Sequence, residues 1–145
     1  MNYISQNNGK SHLIDFDLFS IILPTDFKYK RIDGIDSFVG EIKNGKSTFF
    51  FDYGWYSYSL TEENKERQLF ATDTINGKIA YLTKPKTTGN GTIGIYIEKA
   101  FKENRFNLIG KGIQNEELIL DIFKSIKFRD SDTLVNSKRI EFKEK

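Results

Sequence analysis

The chain contains no cysteine, and among its 145 residues it has one histidine, one tryptophan, one methionine and two prolines. Without cysteine there is no disulfide, no thiol nucleophile and no thiolate-held zinc or iron–sulfur cluster. A single histidine, His12, cannot supply the paired imidazoles of the common zinc sites from one copy of the chain. Long apolar runs are also lacking: the longest are of the Leu18–Leu23 kind, far short of the roughly 20 residues of a membrane-spanning helix. Neither sign of charge dominates, since 22 Lys and Arg stand against 20 Asp and Glu for a net +2. That balance produces no field to attract a polyanion, so nucleic acid is not expected among the partners. Residues 1–10 lack a basic stretch followed by an apolar core. The expectation is therefore a cytoplasmic chain as the sequence stands, with an exported domain whose leader has been removed as the alternative.

What is present is one domain's worth of core. Hydrophobic residues make up 38% of the chain, enough for a single hydrophobic centre. Residues 1–12 are rich in Asn, Ser, Gln and Gly and read as a loose arm. The domain is expected over 13–128, followed by a charged tail or added edge strand over 129–145. Phe19-Ser-Ile-Ile-Leu-Pro24 is a β-branched and aromatic run stopped by proline, which reads as a strand end, followed by a turn or short helix through Arg31. Asn-Gly pairs at Asn44-Gly45 and Asn76-Gly77 are the strongest short hairpin signal, because both central residues of such a turn need positive φ. They predict hairpins joining Ile35–Lys43 to Lys46–Tyr53 and Gln68–Ile75 to Lys78–Thr83. In Thr92–Ile97, period-two alternation puts Ile93, Ile95 and Ile97 on one face, and Phe106–Gly110 is the expected neighbour. From Asn115 to Ile126, Leu118, Ile119, Ile122, Phe123 and Ile126 form a helical stripe, with Asn115 as cap and acidic residues in the first turn. The predicted fold is α+β: a central antiparallel sheet of about five to seven strands, packed by that amphipathic helix.

Several motif matches fail on context. Gly40-Glu-Ile-Lys-Asn-Gly45-Lys46-Ser47 has the letters of a phosphate-binding P-loop, but the Thr-Phe-Phe-Phe that follows suits a strand where the motif needs a helix. Gly89-Asn-Gly91-Thr-Ile-Gly94 spells a dinucleotide fingerprint ahead of another strand, which leaves only weak anion binding by the flanking Lys84 and Lys86. Asp130, Asp132 and Glu141 imitate a calcium loop whose fifth and sixth positions hold Leu134 and Val135, where a ligand and a glycine are required. The pairs Asp15/Asp17 and Asp33/Asp36 read as solvated turn residues. His12, next to Ser11, has no orienting third group and no nucleophile elbow. No metal or cofactor is expected.

One segment stands apart. From Phe49 to Tyr58, seven of the chain's aromatic residues fall in ten positions. Alternation assigns Phe49, Phe51 and Tyr53 to one face and Phe50 and Asp52 to the other. After Gly54 come Trp55-Tyr56-Ser57-Tyr58, amphipathic rings suited to a contact surface. The competing expectation is that Trp55 and one or two tyrosines close the sheet against the Asn115–Ile126 helix.

The order of landmarks, with Phe19–Pro24, then hairpins, then a late helix ending in Ile122-Phe-Lys-Ser-Ile-Lys-Phe128, resembles the PsbP-like fold family over residues 16–128. That family includes the extrinsic photosystem subunit, a Ran-binding protein and bacterial envelope or effector-chaperone domains. The resemblance implies a central antiparallel sheet flanked by helices, and members that mostly bind partners without doing chemistry. The family's first inter-strand helix is short or missing around Thr25–Arg31. No site motif is matched, so no functional residue carries over.

The leading expectation is a small non-catalytic binding or adaptor domain that contacts a protein partner or small ligand through Tyr53, Trp55, Tyr56 and Tyr58, with Asp52 as hydrogen-bond acceptor. Its rival is a carboxylate-dependent enzyme on a small or glycan substrate, using Asp52 with Asp36 or Glu41. That enzyme requires two carboxyls converging in a hollow with Trp55. A third expectation is a purely structural domain.

Overall fold

The computed structural model describes residues 10–34, 36–129 and 142–144. Its elements are β1 (Ser11–Asp15), β2 (Phe19–Pro24), β3 (Lys28–Ile32), β4 (Ser37–Lys43), β5 (Thr48–Gly54), β6 (Gln68–Ile75), β7 (Lys78–Pro85), β8 (Thr92–Phe101), β9 (Asn104–Lys111), α1 (Glu116–Lys124) and β10 (Lys127–Phe128). They form a seven-stranded sheet in the order β3-β4-β5-β9-β8-β7-β6 and a three-stranded sheet in the order β1-β2-β10. Both are antiparallel.

The fold is therefore mostly sheet, which corrects the expected α+β balance. The difference arises at two polar strands. His12, assigned to the arm, lies in β1 opposite Leu23, and Lys-Tyr-Lys-Arg-Ile, taken as turn or short helix, is β3. Between β2 and β3 stand only Thr25–Phe27, with the Phe27 N–H donating to the Pro24 carbonyl at 3.1 Å. The helix spans nine residues. The Asn115 side chain caps it by accepting from the Leu118 N–H at 3.2 Å. Ser125 ends it, donating its hydroxyl to the Ile122 carbonyl at 2.6 Å while accepting the Ile22 N–H at 2.9 Å. Those two bonds tie the helix end to β2.

Alternation along the strands gives the large sheet an inner and an outer face. The inner row of β5, Phe49, Phe51 and Tyr53, is buried together with Phe106 and Leu108 of β9 and Ile93, Ile95 and Ile97 of β8. The small sheet supplies what covers this face: Phe19, Ile21 and Leu23 of β2 are at most 2% exposed and belong to the same core. Phe19 packs edge-on against Phe51 at 5.1 Å and Phe106 at 4.9 Å, and stacks on Tyr53 at 6.1 Å. Leu118, Ile119, Ile122 and Phe123 of α1 complete the cluster.

The two Asn-Gly pairs do different work. Asn76 and Gly77 have φ of 54° and 75° and form the two-residue turn between β6 and β7, as positive φ at both positions requires. Asn76 also accepts the Phe128 N–H at 2.7 Å, joining the two sheets. Asn44 and Gly45 are not in the left-handed region, which corrects the expected turn type. The loop between β4 and β5 is longer, and the Asn44 side chain organises it by accepting from the N–H groups of Lys46 and Ser47 at 2.9 and 2.7 Å, an Asx turn. The P-loop letters thus lie on strand, turn and strand. Lys84 and Lys86, flanking the second glycine-rich stretch, pair with Glu116 and Glu144, each at 3.2 Å.

Of the expected tail, Arg129 pairs with Asp17 at 2.7 Å, and Lys143 bridges Phe70 on the outer edge of β6. The calcium-like residues Asp130, Asp132, Leu134, Val135 and Glu141 lie outside the described residues.

The turn assignments make a direct prediction. Gly77→Ala forces an alanine into the left-handed region and is expected to lose about 1–2 kcal/mol. Gly45→Ala adds a methyl that meets nothing within 4 Å and is expected to stay within about 0.5 kcal/mol of wild type. Urea denaturation of the two variants checks this, and equal losses would contradict it.

Candidate functional surface

The position of the candidate site follows from strand order. β5 lies beside β9, whereas β6 is at the far edge beyond β9, β8 and β7. Residues 55–67 must therefore cross three strands, spaced roughly 4.8 Å apart. With the inner face filled, the crossing runs over the outer face.

It is fixed there by a short series of bonds. Trp55 and Tyr56 form the turn that leaves β5. The buried Ser57 hydroxyl then donates to the Asp52 carbonyl at 3.0 Å, and the Asn107 amide on β9 donates to the Tyr58 carbonyl at 3.0 Å. Leu60, 4% exposed, lands on β8 at Gly94, where a Cβ would stand 3.3 Å from its Cδ2. The Tyr58 hydroxyl donates to the Glu63 carboxylate at 2.7 Å and accepts the Glu62 N–H at 3.1 Å.

The residues singled out from sequence are dispersed by this geometry. Tyr53 is 5% exposed and sits in the core against Phe19, and Tyr58 is held within the crossing. Asp52 is half-buried on the outer face, with Oδ1 buried and without a hydrogen-bond partner among the described residues. It lines a hollow of about 570 Å³ with Phe50, Asn107 and Ile109. Of the five residues singled out, only Trp55 and Tyr56 are exposed, at 60% and 84%. They border a separate hollow of about 380 Å³ with Glu98, Lys99, Glu103 and Arg105, and so do not close the sheet against α1. Of the other carboxylates considered, Glu41 pairs with Lys43 at 3.5 Å and Asp36 occupies a turn with φ of 57°.

A third hollow, of about 440 Å³, opens on the β6 side of the crossing, lined by Lys65, Tyr81, Tyr96, Glu98 and Arg105 among others. Glu98 and Arg105 border both this hollow and the one beside Trp55, so the two adjoin across these side chains. The Tyr81 and Tyr96 rings stack at 6.3 Å. Burial pushes the Tyr96 hydroxyl above its ordinary pKa, with Arg105 pulling the other way and Glu98 adding to the rise, so it is a neutral donor near pH 7. These residues were not identified from sequence. The signal was the complement of the isoleucine alternation in β8, which places Tyr96 and Glu98 in the outward row.

Among the described residues, no group of three or more His, Cys, Asp or Glu is placed to hold a metal ion, and no helix is long and apolar enough to cross a membrane. Comparison with family models, curated proteins and solved structures finds no match to the chain.

Tyr58 gives the crossing a pH signature. Burial first, then the hydrogen bond to Glu63 and its charge, raise its phenol from 10.0 to about 12. The unfolded phenol ionises near 10 while the folded one holds its proton to about 12, so the linked stability is intact below pH 10 and is lost as pH rises toward 12. Wild type is expected to lose more stability than Tyr58→Phe across that window. Superimposable pH–stability profiles would show that the bond does not hold the crossing.

Proposed function

We propose that the chain is a small non-catalytic binding domain that holds a partner or ligand on the outer face of its seven-stranded sheet, with Trp55 and Tyr56 as contact residues. The observation that carries this reading is the exposure of two adjacent large rings on a turn whose following residues are pinned at Ser57 and Tyr58. Rings with a polar edge provide much contact area for little side-chain entropy. A turn already held in place lowers the ordering cost of association.

The rival carboxylate enzyme draws less support. As framed on Asp52 with Asp36 or Glu41 it needs those carboxyls beside Trp55, whereas Asp52 and Trp55 line different hollows and Glu41 is engaged by Lys43; the carboxylates that do border the Trp55 hollow, Glu98 and Glu103, share it with Lys99 and Arg105. The purely structural reading leaves the exposed rings without a role.

The finer reading of the fold goes with this proposal. The resemblance of this mostly-sheet chain to the PsbP-like family is supported by the central antiparallel sheet, by β2 ending at Pro24 and by the buried face of α1 ahead of Phe128. The near-balanced charge of the chain favours a protein or small-molecule partner over nucleic acid.

The test is affinity capture from the native cell lysate with wild type and a Trp55→Ala/Tyr56→Ala variant, both shown to be folded by circular dichroism. Loss of a specific binder with the variant is expected. Capture of the same set by both proteins would overturn the proposal.

A further inference from the structure

Most polar groups near the crossing are engaged within the chain, as the bonds at Ser57, Tyr58 and Asn107 show. The adjoining hollows differ. Among the described residues, the Lys65 amino group, the Tyr81 and Tyr96 hydroxyls, the Glu98 carboxylate and the Arg105 guanidinium form no hydrogen bond or ion pair, although all line the same hollow. Arg105 is half-buried and lines both hollows. The surface is thus a trough of two adjoining hollows that share Glu98 and Arg105, with the stacked tyrosines lining one and the exposed Trp55 and Tyr56 rings lining the other.

Its charge selects the ligand class. An anion would meet Arg105, Lys65 and Lys99 but be repelled by Glu98 and Glu103, and a cation would meet the two carboxylates but be repelled by the three bases. A polyol satisfies both at once, because each hydroxyl is donor and acceptor and neighbouring hydroxyls fit a guanidinium or carboxylate in bidentate fashion. The weakly polar C–H faces of a sugar ring match exposed aromatic rings. We propose that this trough binds a neutral oligosaccharide, with Arg105 and Glu98 holding ring hydroxyls and Trp55 and Tyr56 stacking on a neighbouring sugar unit. The proposal rests on the reading of this face as a binding surface and names its ligand class. Two adjoining hollows of about 440 and 380 Å³ call for more than one sugar unit, so affinity is expected to rise from monosaccharide to oligosaccharide.

The experiment titrates the full chain with neutral hexasaccharides of glucose, N-acetylglucosamine, xylose and mannose, with the matching monosaccharides, with a uronic-acid hexasaccharide and with inorganic phosphate. Trp55 is the chain's one tryptophan, so its fluorescence and its quenching by acrylamide report occupancy directly, alongside calorimetry. A neutral hexasaccharide is expected to shield Trp55 and to bind saturably. Arg105→Ala and Glu98→Gln are each expected to weaken it about tenfold or more, the loss of a charge-assisted bond. If Arg105→Ala does not fold, Arg105→Lys keeps the charge but not the planar fork and is expected to weaken binding in the same direction. Binding confined to the uronic acid or phosphate, or binding indifferent to Arg105 and Glu98, would overturn the saccharide assignment. So would no binding of any neutral hexasaccharide. If lysate capture through Trp55 and Tyr56 persists in that case, the binding-domain reading stands without the saccharide, and if capture is also absent both fail.

Discussion

The packing of Phe19 is the contact on which the rest of the molecule depends. Its ring lies within 6.3 Å, centroid to centroid, of Phe16, Phe38, Phe51, Tyr53, Phe106 and Phe128. Phe51 and Tyr53 belong to β5 and Phe106 to β9, the two strands where the halves of the large sheet meet. Phe128 brings in β10. One side chain from the small sheet therefore bridges the central seam of the large one. Each aromatic pair contributes roughly 0.5–1.5 kcal/mol beyond area burial, and an alanine at such a position costs about 3–5 kcal/mol.

Filling the inner face in this way determines what the outer face can be. A sheet that meets β5 to β9 and leaves β6 at the far edge needs a long connection, and the only face with room for it is the outer one. The connection then acts as a partition. Leu60 sits over Gly94 and Tyr58 over Asn107, separating the hollow of Asp52 from the trough of Tyr96. Trp55 and Tyr56 are exposed because they stand where the chain has left the ladder and has not yet settled onto the outer face.

Much of the scaffold was legible from local chemistry. Gly77, Asn115 and the isoleucine row of β8 each report a backbone need or a buried face through residue type alone. The strands that were missed, β1 and β3, lie at sheet edges and carry serine, histidine, lysine and arginine, the composition by which edges resist pairing with other chains. Their polarity hides the alternation that a strand buried on one face displays. Asn44 was misread because its side chain, rather than its backbone dihedral, makes the turn. Tyr53 and Tyr58 were grouped with Trp55 by proximity in sequence, but alternation sends Tyr53 inward and the hydrogen bond to Glu63 engages Tyr58 within the crossing. Nothing local could bring Arg105 beside Trp55, because that neighbourhood exists only once β5 is placed next to β9.

The charge balance that argues against a polyanion partner at the level of the whole chain takes a different meaning in the trough. Glu98 and Arg105 line the same two hollows and could neutralise each other, yet among the described residues neither side chain is paired. An exposed ion pair would add little, roughly 0–1 kcal/mol, so folding loses little by leaving them apart. A half-buried guanidinium with no carboxylate on it among the described residues keeps its full donor set, and the strands that carry both groups fix where they stand. Stability is thus supplied by the inner face around Phe19, and the outer face is free to keep polar groups unsatisfied. That division lets a small domain without cysteine hold exposed polar groups at fixed positions on one face.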